Sequence, residues 1–161
     1  MKDLLKSFVY AFKGIFYCIC NERNMRIHLC FTAYMFGFLT VYDFFKVTKE
    51  QYAILTALCA LVMSLEAVNT AVEKAVDTAT TEKNEFARIA KDSAAGAVLI
   101  SAIASVVTGV VILWQPEAFS AMADYYSQNI HVFIGFIVSF IFSLIFVFAG
   151  PLKIKDFFIK R

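Results

Sequence analysis

Charge is scarce in this sequence. Only 17% of its 161 residues are Asp, Glu, Lys or Arg, against about 25% in an ordinary soluble domain. The formal net charge is +2, so the basic footprint of a nucleic-acid-binding protein is missing. No GxxxxGK[ST], HRD or DFG sequence occurs, which excludes the phosphate-binding plans built on those motifs. Cys18 and Cys20 form a Cys-x-Cys pair, but neither a second pair nor a His stands at finger-like spacing, so the thiols read as packing groups. The N-terminal segment has no unbroken apolar core, because Lys6 and Lys13 interrupt it. A cleaved signal peptide is therefore not expected.

Apolar side chains fill the space that charge leaves. The chain is 60% hydrophobic and 16% aromatic, with a mean hydropathy of +0.70. That composition and length point to one integral-membrane, all-α bundle. Four stretches are candidates to cross a bilayer, which takes roughly 20 apolar residues each. They run from about Ile27 to Phe45, from Tyr52 to about Asp77, from Ala94 to Trp114, and from Ile130 to Gly150, where Pro151 marks an end. Before them, Lys2, Lys6 and Lys13 share one helical face, and Leu5, Phe8, Phe12 and Ile15 share another. This is the pattern of an amphipathic helix lying on a membrane surface.

Loop charges orient the bundle. Residues 1–26 hold Lys2, Lys6, Lys13, Arg23 and Arg26 against Asp3 and Glu22. The tail is similarly basic, and Lys83, Arg88 and Lys91 flank the loop between the second and third crossings. The positive-inside rule puts both termini and that loop in the cytoplasm. Trp114, Tyr125 and Tyr126 then fall at the outer interface, as aromatic belts do.

Within the second crossing lies an acidic stripe. Glu66, Asn69, Glu73 and Asp77 stand at i, i+3, i+7 and i+11, inside an arc of about 80° on an ideal helix. A single Asp at the centre of a membrane helix costs about 2.5–3.5 kcal/mol, so ionisable groups there point to function. Glu66 lies deepest. Lys74 is the one lysine in the apolar part of this helix and projects elsewhere, leaving the stripe without an evident counter-ion inside the membrane. Magnesium and phosphate chemistry at the cytoplasmic rim accounts for it, since Mg²⁺ is held by one or two carboxylates together with phosphate oxygens.

Two further groups belong to the same membrane face. Asn21-Glu22-Arg23-Asn24-Met25-Arg26 joins the surface helix to the first crossing. Arg88 and Lys91 precede the third crossing, where cations and a helix N-terminus suit phosphate, and Asp92 or Ser93 is a candidate cap. Ser93-Ala94-Ala95-Gly96-Ala97 offers small side chains for close packing. His28 and His131 sit near helix starts and read as interface or capping residues.

These motifs, in this order, resemble the bacterial diacylglycerol kinase/undecaprenol kinase family. The resemblance rests on residues 21–26, on Glu66, Asn69, Glu73 and Asp77 in their helical register, on Ala90-Lys91-Asp92 with Ala94–Leu99, and on Tyr10-Ala11-Phe12-Lys13-Gly14. It covers about residues 1–115, and its wording is closer to the undecaprenol kinase branch. It implies a surface helix, three crossings per subunit, and a homotrimer with shared active sites at the cytoplasmic membrane interface. The implied reaction is transfer of the ATP γ-phosphate to a membrane lipid alcohol with Mg²⁺, in the bacterial cytoplasmic membrane. By position, Glu22 and Glu73 match the family's metal carboxylates, and Glu66 matches its proposed general base. Asn69, Asp77, Lys91 and Asp92 match residues around the phosphates and the reacting hydroxyl. Tyr10 and Glu82 match nucleotide-associated positions.

This chain departs from the family in two places. Asn84 stands where a His is usual, and residues 116–161 add a loop, a fourth apolar segment and a basic tail. The expected division is a kinase domain over 1–115 and this appendage over 116–161. Removal of the appendage is expected to leave catalysis possible and to lower stability. Two other function classes remain open: a non-catalytic membrane scaffold or sensor derived from such a kinase, and a small channel lined by the acidic stripe. The Lys91-Asp92 pair and Glu22 have no evident use in a channel.

Overall fold

The computed structural model of the chain describes residues 2–80 and 84–159. Those residues form six helices and no strand: α1 (Lys2–Asn21), α2 (Arg23–Val41), α3 (Lys49–Ala79), α4 (Glu85–Leu113), α5 (Pro116–Gln128) and α6 (Ile130–Ile159). The all-α bundle expected from composition is what forms. α3 and α4 make the most extensive pairing; α2 packs on α3 and on α6, and α1 touches α2, α3 and α6.

Local chemistry sets the boundaries. α3 opens on a capping box, with the Gln51 backbone N–H donating to Thr48 Oγ1 (3.3 Å) and the Thr48 N–H donating to Gln51 Oε1 (2.9 Å). α4 opens on Asn84, whose side-chain oxygen accepts from the Phe86 N–H at 2.8 Å. This corrects the cap expected at Asp92 or Ser93. The polar turn Glu85–Asp92 is already helix, so Lys91 lies almost two turns inside α4, beyond the reach of its N-terminal dipole. Residues 116–128, expected as loop, form α5, because Pro116 at its first position suits a helix start.

Three helices are long and apolar enough to cross a membrane: α3, α4 and the Ile130–Leu152 part of α6. The expected crossing at Ile27–Phe45 corresponds to α2, which is not among them. Its 19 residues span about 28 Å, and its first two turns carry Arg23, Asn24, Arg26 and His28. α3 has 31 residues and spans about 46 Å, well beyond a hydrocarbon core of about 30 Å. Its polar end therefore has length to stand clear of hydrocarbon. The apolar side chains of α4 and α6 are largely uncovered by the rest of the chain, Ile100, Val111 and Phe142 among them. On α1, Leu5, Phe8, Phe12 and Ile15 are likewise uncovered, in keeping with an amphipathic face offered to a membrane.

One buried cation ties three helix ends together. Arg26 is 5% exposed. Its Nη1 donates to the carbonyls of Ile19 (3.2 Å) and Cys20 (3.1 Å), and its Nε donates to the Val147 carbonyl (3.0 Å). These are late carbonyls of α1 and of the straight part of α6, which lack helical partners of their own. At Gly150 the backbone of α6 breaks, with φ 74° and ψ 156°. A Cβ there would lie 3.3 Å from Arg26 Cζ. The positive φ calls for glycine, and the guanidinium leaves a Cβ only tight room. Pro151 follows the break, and helix resumes to Ile159 rather than ending there.

The opposite end of the bundle is aromatic. Tyr42 stacks on Phe44 at 5.0 Å and meets Tyr125 edge-on at 5.5 Å. Phe119 bridges Trp114 and Phe45 at 6.0 and 5.7 Å. The Gln115 side chain pins this end by accepting from the Lys46 N–H (3.0 Å) and donating to the Lys46 carbonyl (3.1 Å). Burial, with Tyr42 beside it, pushes the Tyr126 phenol up to about 12.

Candidate functional site

The acidic stripe lies on one unbroken helix, and its burial falls steadily along it. Glu66 is 3% exposed, Asn69 and Glu73 are half-buried, and Asp77 is exposed. The polar face therefore runs from the packed interior of α3 out to its end. Thr70, also buried, donates to the Glu66 carbonyl at 3.0 Å.

Each acid meets a different neighbour. The Glu66 Oε1 lies 3.6 Å from Nε2 of His28 on α2. Asn69 Nδ2 donates to Glu73 Oε1 at 3.1 Å. That contact fixes the amide nitrogen toward the carboxylate and leaves Asn69 Oδ1 buried without a partner. Asp77 pairs with the ammonium of Lys91 across the α3–α4 hairpin. Asp92 is taken by Arg88 one turn earlier, Nη1 to Oδ2 at 2.7 Å. Basic side chains reach the stripe from two other helices. Lys91 belongs to α4 because that helix starts early, and His28 arrives from α2.

Glu22 sits at the N-cap of α2 in extended conformation and makes no side-chain cap bond. Its carboxylate is thus uncommitted, at a helix N-terminus where negative charge is favoured. Tyr10 is 67% exposed on α1, with Lys13 Nζ 6.0 Å from its ring centroid. Glu82 lies outside the described residues.

Beyond His28 the space between α2, α3 and α4 opens into an apolar groove of about 500 Å³. Its wall includes Phe31, Leu55, Val62, Val106 and Val110, and its far end is formed by Trp114 and Phe119. No Asp, Glu, Lys or Arg lines it. His28, one of its lining residues, stands 3.6 Å from the buried Glu66, so an uncharged trough and a carboxylate are joined through that imidazole.

Among the described residues no cluster of three metal-ligating side chains forms. The donor set fits magnesium all the same, because that ion needs few protein carboxylates when phosphate and water complete its shell. Among the described residues the Glu22 carboxylate makes no cap bond, Glu73 is steadied by Asn69, and the orphaned Asn69 Oδ1 is an acceptor suited to ion-bound water.

Residues 9–113 match the model of the family described as prokaryotic diacylglycerol kinase. The chain belongs to that family. The matched region ends with α4, so α5 and α6 lie outside it. A diacylglycerol kinase of Synechocystis is 43% identical over 115 residues, covering 71% of this chain and 64% of that protein's length. An undecaprenol kinase of Bacillus subtilis is 36% identical over 114 residues, covering 70% and 89%. A diacylglycerol kinase of Haemophilus influenzae is 34% identical over 115 residues, covering 71% and 95%.

Proposed function

We propose that this chain is an ATP-dependent lipid kinase that transfers the γ-phosphate to the hydroxyl of a membrane lipid alcohol, undecaprenol in preference to diacylglycerol. The observation that carries the reading is a buried Glu66 that meets His28, a residue of the uncharged groove, and from which an increasingly wet polar stripe runs along α3. The lipid's first carbons occupy the groove with the hydroxyl at Glu66. Nucleotide phosphates approach along Glu73, Asp77, Lys91 and Asp92, with Tyr10 and Glu82 toward the nucleoside.

The chemistry asks mainly for positioning and charge neutralisation. Glu66 accepts the alcohol proton as the oxygen bonds to the γ-phosphorus, and the bond to the β–γ bridging oxygen breaks to release ADP. Asn69 orients the hydroxyl and steadies Glu73. Lys91 places a positive charge where the phosphates carry negative charge, and Asp77 holds it there. Asp92 works beside it, with Arg88 as its partner. Mg²⁺ would be held by Glu22 and Glu73, and would neutralise phosphate charge when bound. The site is completed in a homotrimer in the bacterial cytoplasmic membrane, with both termini cytoplasmic. Residues 1–115 form the kinase domain and residues 116–161 its appendage.

Undecaprenol is favoured by the Asn21–Asn24 and Ala94–Leu99 motifs and by the Bacillus relative, which this chain covers to 89%. Diacylglycerol is favoured by the higher identity of the Synechocystis relative. Labelled ATP offered with each lipid in mixed micelles distinguishes them through the ratio of kcat/KM values. Glu66→Gln tests the base: turnover should fall about a thousandfold with nucleotide binding retained, and a loss of only a few-fold overturns the assignment. No transfer to either lipid, from folded protein, leaves the scaffold reading.

A further inference from the structure

His28 looks at first like a helix-start residue with no chemistry. The structure gives it a specific place. It stands in the second turn of α2, two residues and so about half a turn beyond the buried Arg26, and Arg26 points the other way, toward α1 and α6. His28 faces α3, and its Nε2 lies 3.6 Å from Glu66 Oε1. Among the described residues it is the ion-pair partner of that carboxylate, whose side chain is 4% exposed against 25% for the imidazole. His28 also lines the apolar groove where the groove approaches Glu66.

A carboxylate so far from water needs a donor to stay ionised, and one so deep in a helix needs a contact to hold its rotamer. We infer that His28 is a positioning residue for Glu66: its Nε2–H holds Oε1, leaving the other carboxylate oxygen free to take the alcohol proton. His28 keeps its own proton throughout. The 3.6 Å separation is longer than a hydrogen bond, and contacts of this kind tighten when substrate closes the site. The arrangement also explains why the groove begins at this residue, since the imidazole would form the polar lip over which a hydroxyl passes to the carboxylate.

This inference rests on Glu66 as the base, and the experiment separates the two. Initial rates are measured for wild type, Glu66→Gln, His28→Leu, His28→Gln and His28→Asn in mixed micelles, with ATP varied at saturating lipid and melting temperature recorded for each. Gln carries an N–H to about the Nε2 position, whereas Asn is too short to reach Glu66. The expected result is a kcat about 30-fold lower in His28→Leu and His28→Asn, with the KM for ATP within twofold. His28→Gln should retain kcat to within about fivefold. Equal kcat in the Gln and Asn variants overturns the inference, as does an unimpaired His28→Leu. Should His28→Leu fail to fold, the Gln–Asn difference decides alone. An active Glu66→Gln overturns the underlying assignment instead, whatever the His28 variants do.

Discussion

The two ends of the α3–α4 hairpin are held together by different means. At the polar end, single directed contacts join helices: Asp77 to Lys91, Glu66 to His28, and Arg26 to three carbonyls. At the other end, Tyr42, Phe44, Tyr125 and Tyr126 share a web in which each ring touches several others, and Phe119 lies between Phe45 and Trp114. A directed contact has no substitute when it is lost. A shared one is partly replaced by its neighbours, because dispersion and burial are not directional. The polar end is thus precise and fragile, and the aromatic end is tolerant.

Four substitutions press on that contrast. Arg26→Leu leaves the Ile19, Cys20 and Val147 carbonyls without their donor and should cost about 3 kcal/mol of stability, read as a lowered melting temperature in detergent. Lys91→Ala frees Asp77 and removes the charge proposed to face phosphate. It should lower kcat about 100-fold while the protein melts within a few degrees of wild type, because the Lys91 and Asp77 side chains are 37% and 55% exposed and a pair so open to water contributes little. Gly150→Ala forces a side chain into a positive-φ position against the Arg26 guanidinium and should cost about 2 kcal/mol, again read by melting. Phe119→Ala should cost about 1 kcal/mol and leave turnover within twofold, since Phe119 is 40% exposed and its neighbours remain. A Phe119→Ala variant less stable than Arg26→Leu would reverse the comparison.

Truncation after Pro116 sharpens it further. It removes the Val147 acceptor but leaves Arg26 its two carbonyls on α1. Lipid phosphorylation should persist with lowered thermal stability. A well-folded truncated protein without turnover would show that α6 contributes to the site through the α1–α2 corner.

Much of the polar end was legible in the sequence because its signal is local. Glu66, Asn69, Glu73 and Asp77 announce themselves by spacing on one helix, and helical periodicity needs no knowledge of neighbours. The contacts between helices were not legible. His28 gains its meaning only once α2 lies against α3, and Arg26 was read as a topological charge although it is buried. The start of α4 was missed because hydropathy discounts the charged turn Glu85–Asp92; Asn84, a good N-cap residue, was the available signal. α5 was missed because its 13 residues are too few and too polar to stand out from a loop. The fold class followed from composition, whereas the lower apolarity of α2 traces to four polar side chains in its first two turns.

The graded burial of α3 has a consequence for how two immiscible reactants could meet. A greasy alcohol and a highly charged nucleotide have no common solvent. A helix that is dry at residue 66 and wet at residue 77 acts as a phase boundary about three turns long. Each reactant can travel to it through its own medium, and neither has to be carried across into the other's.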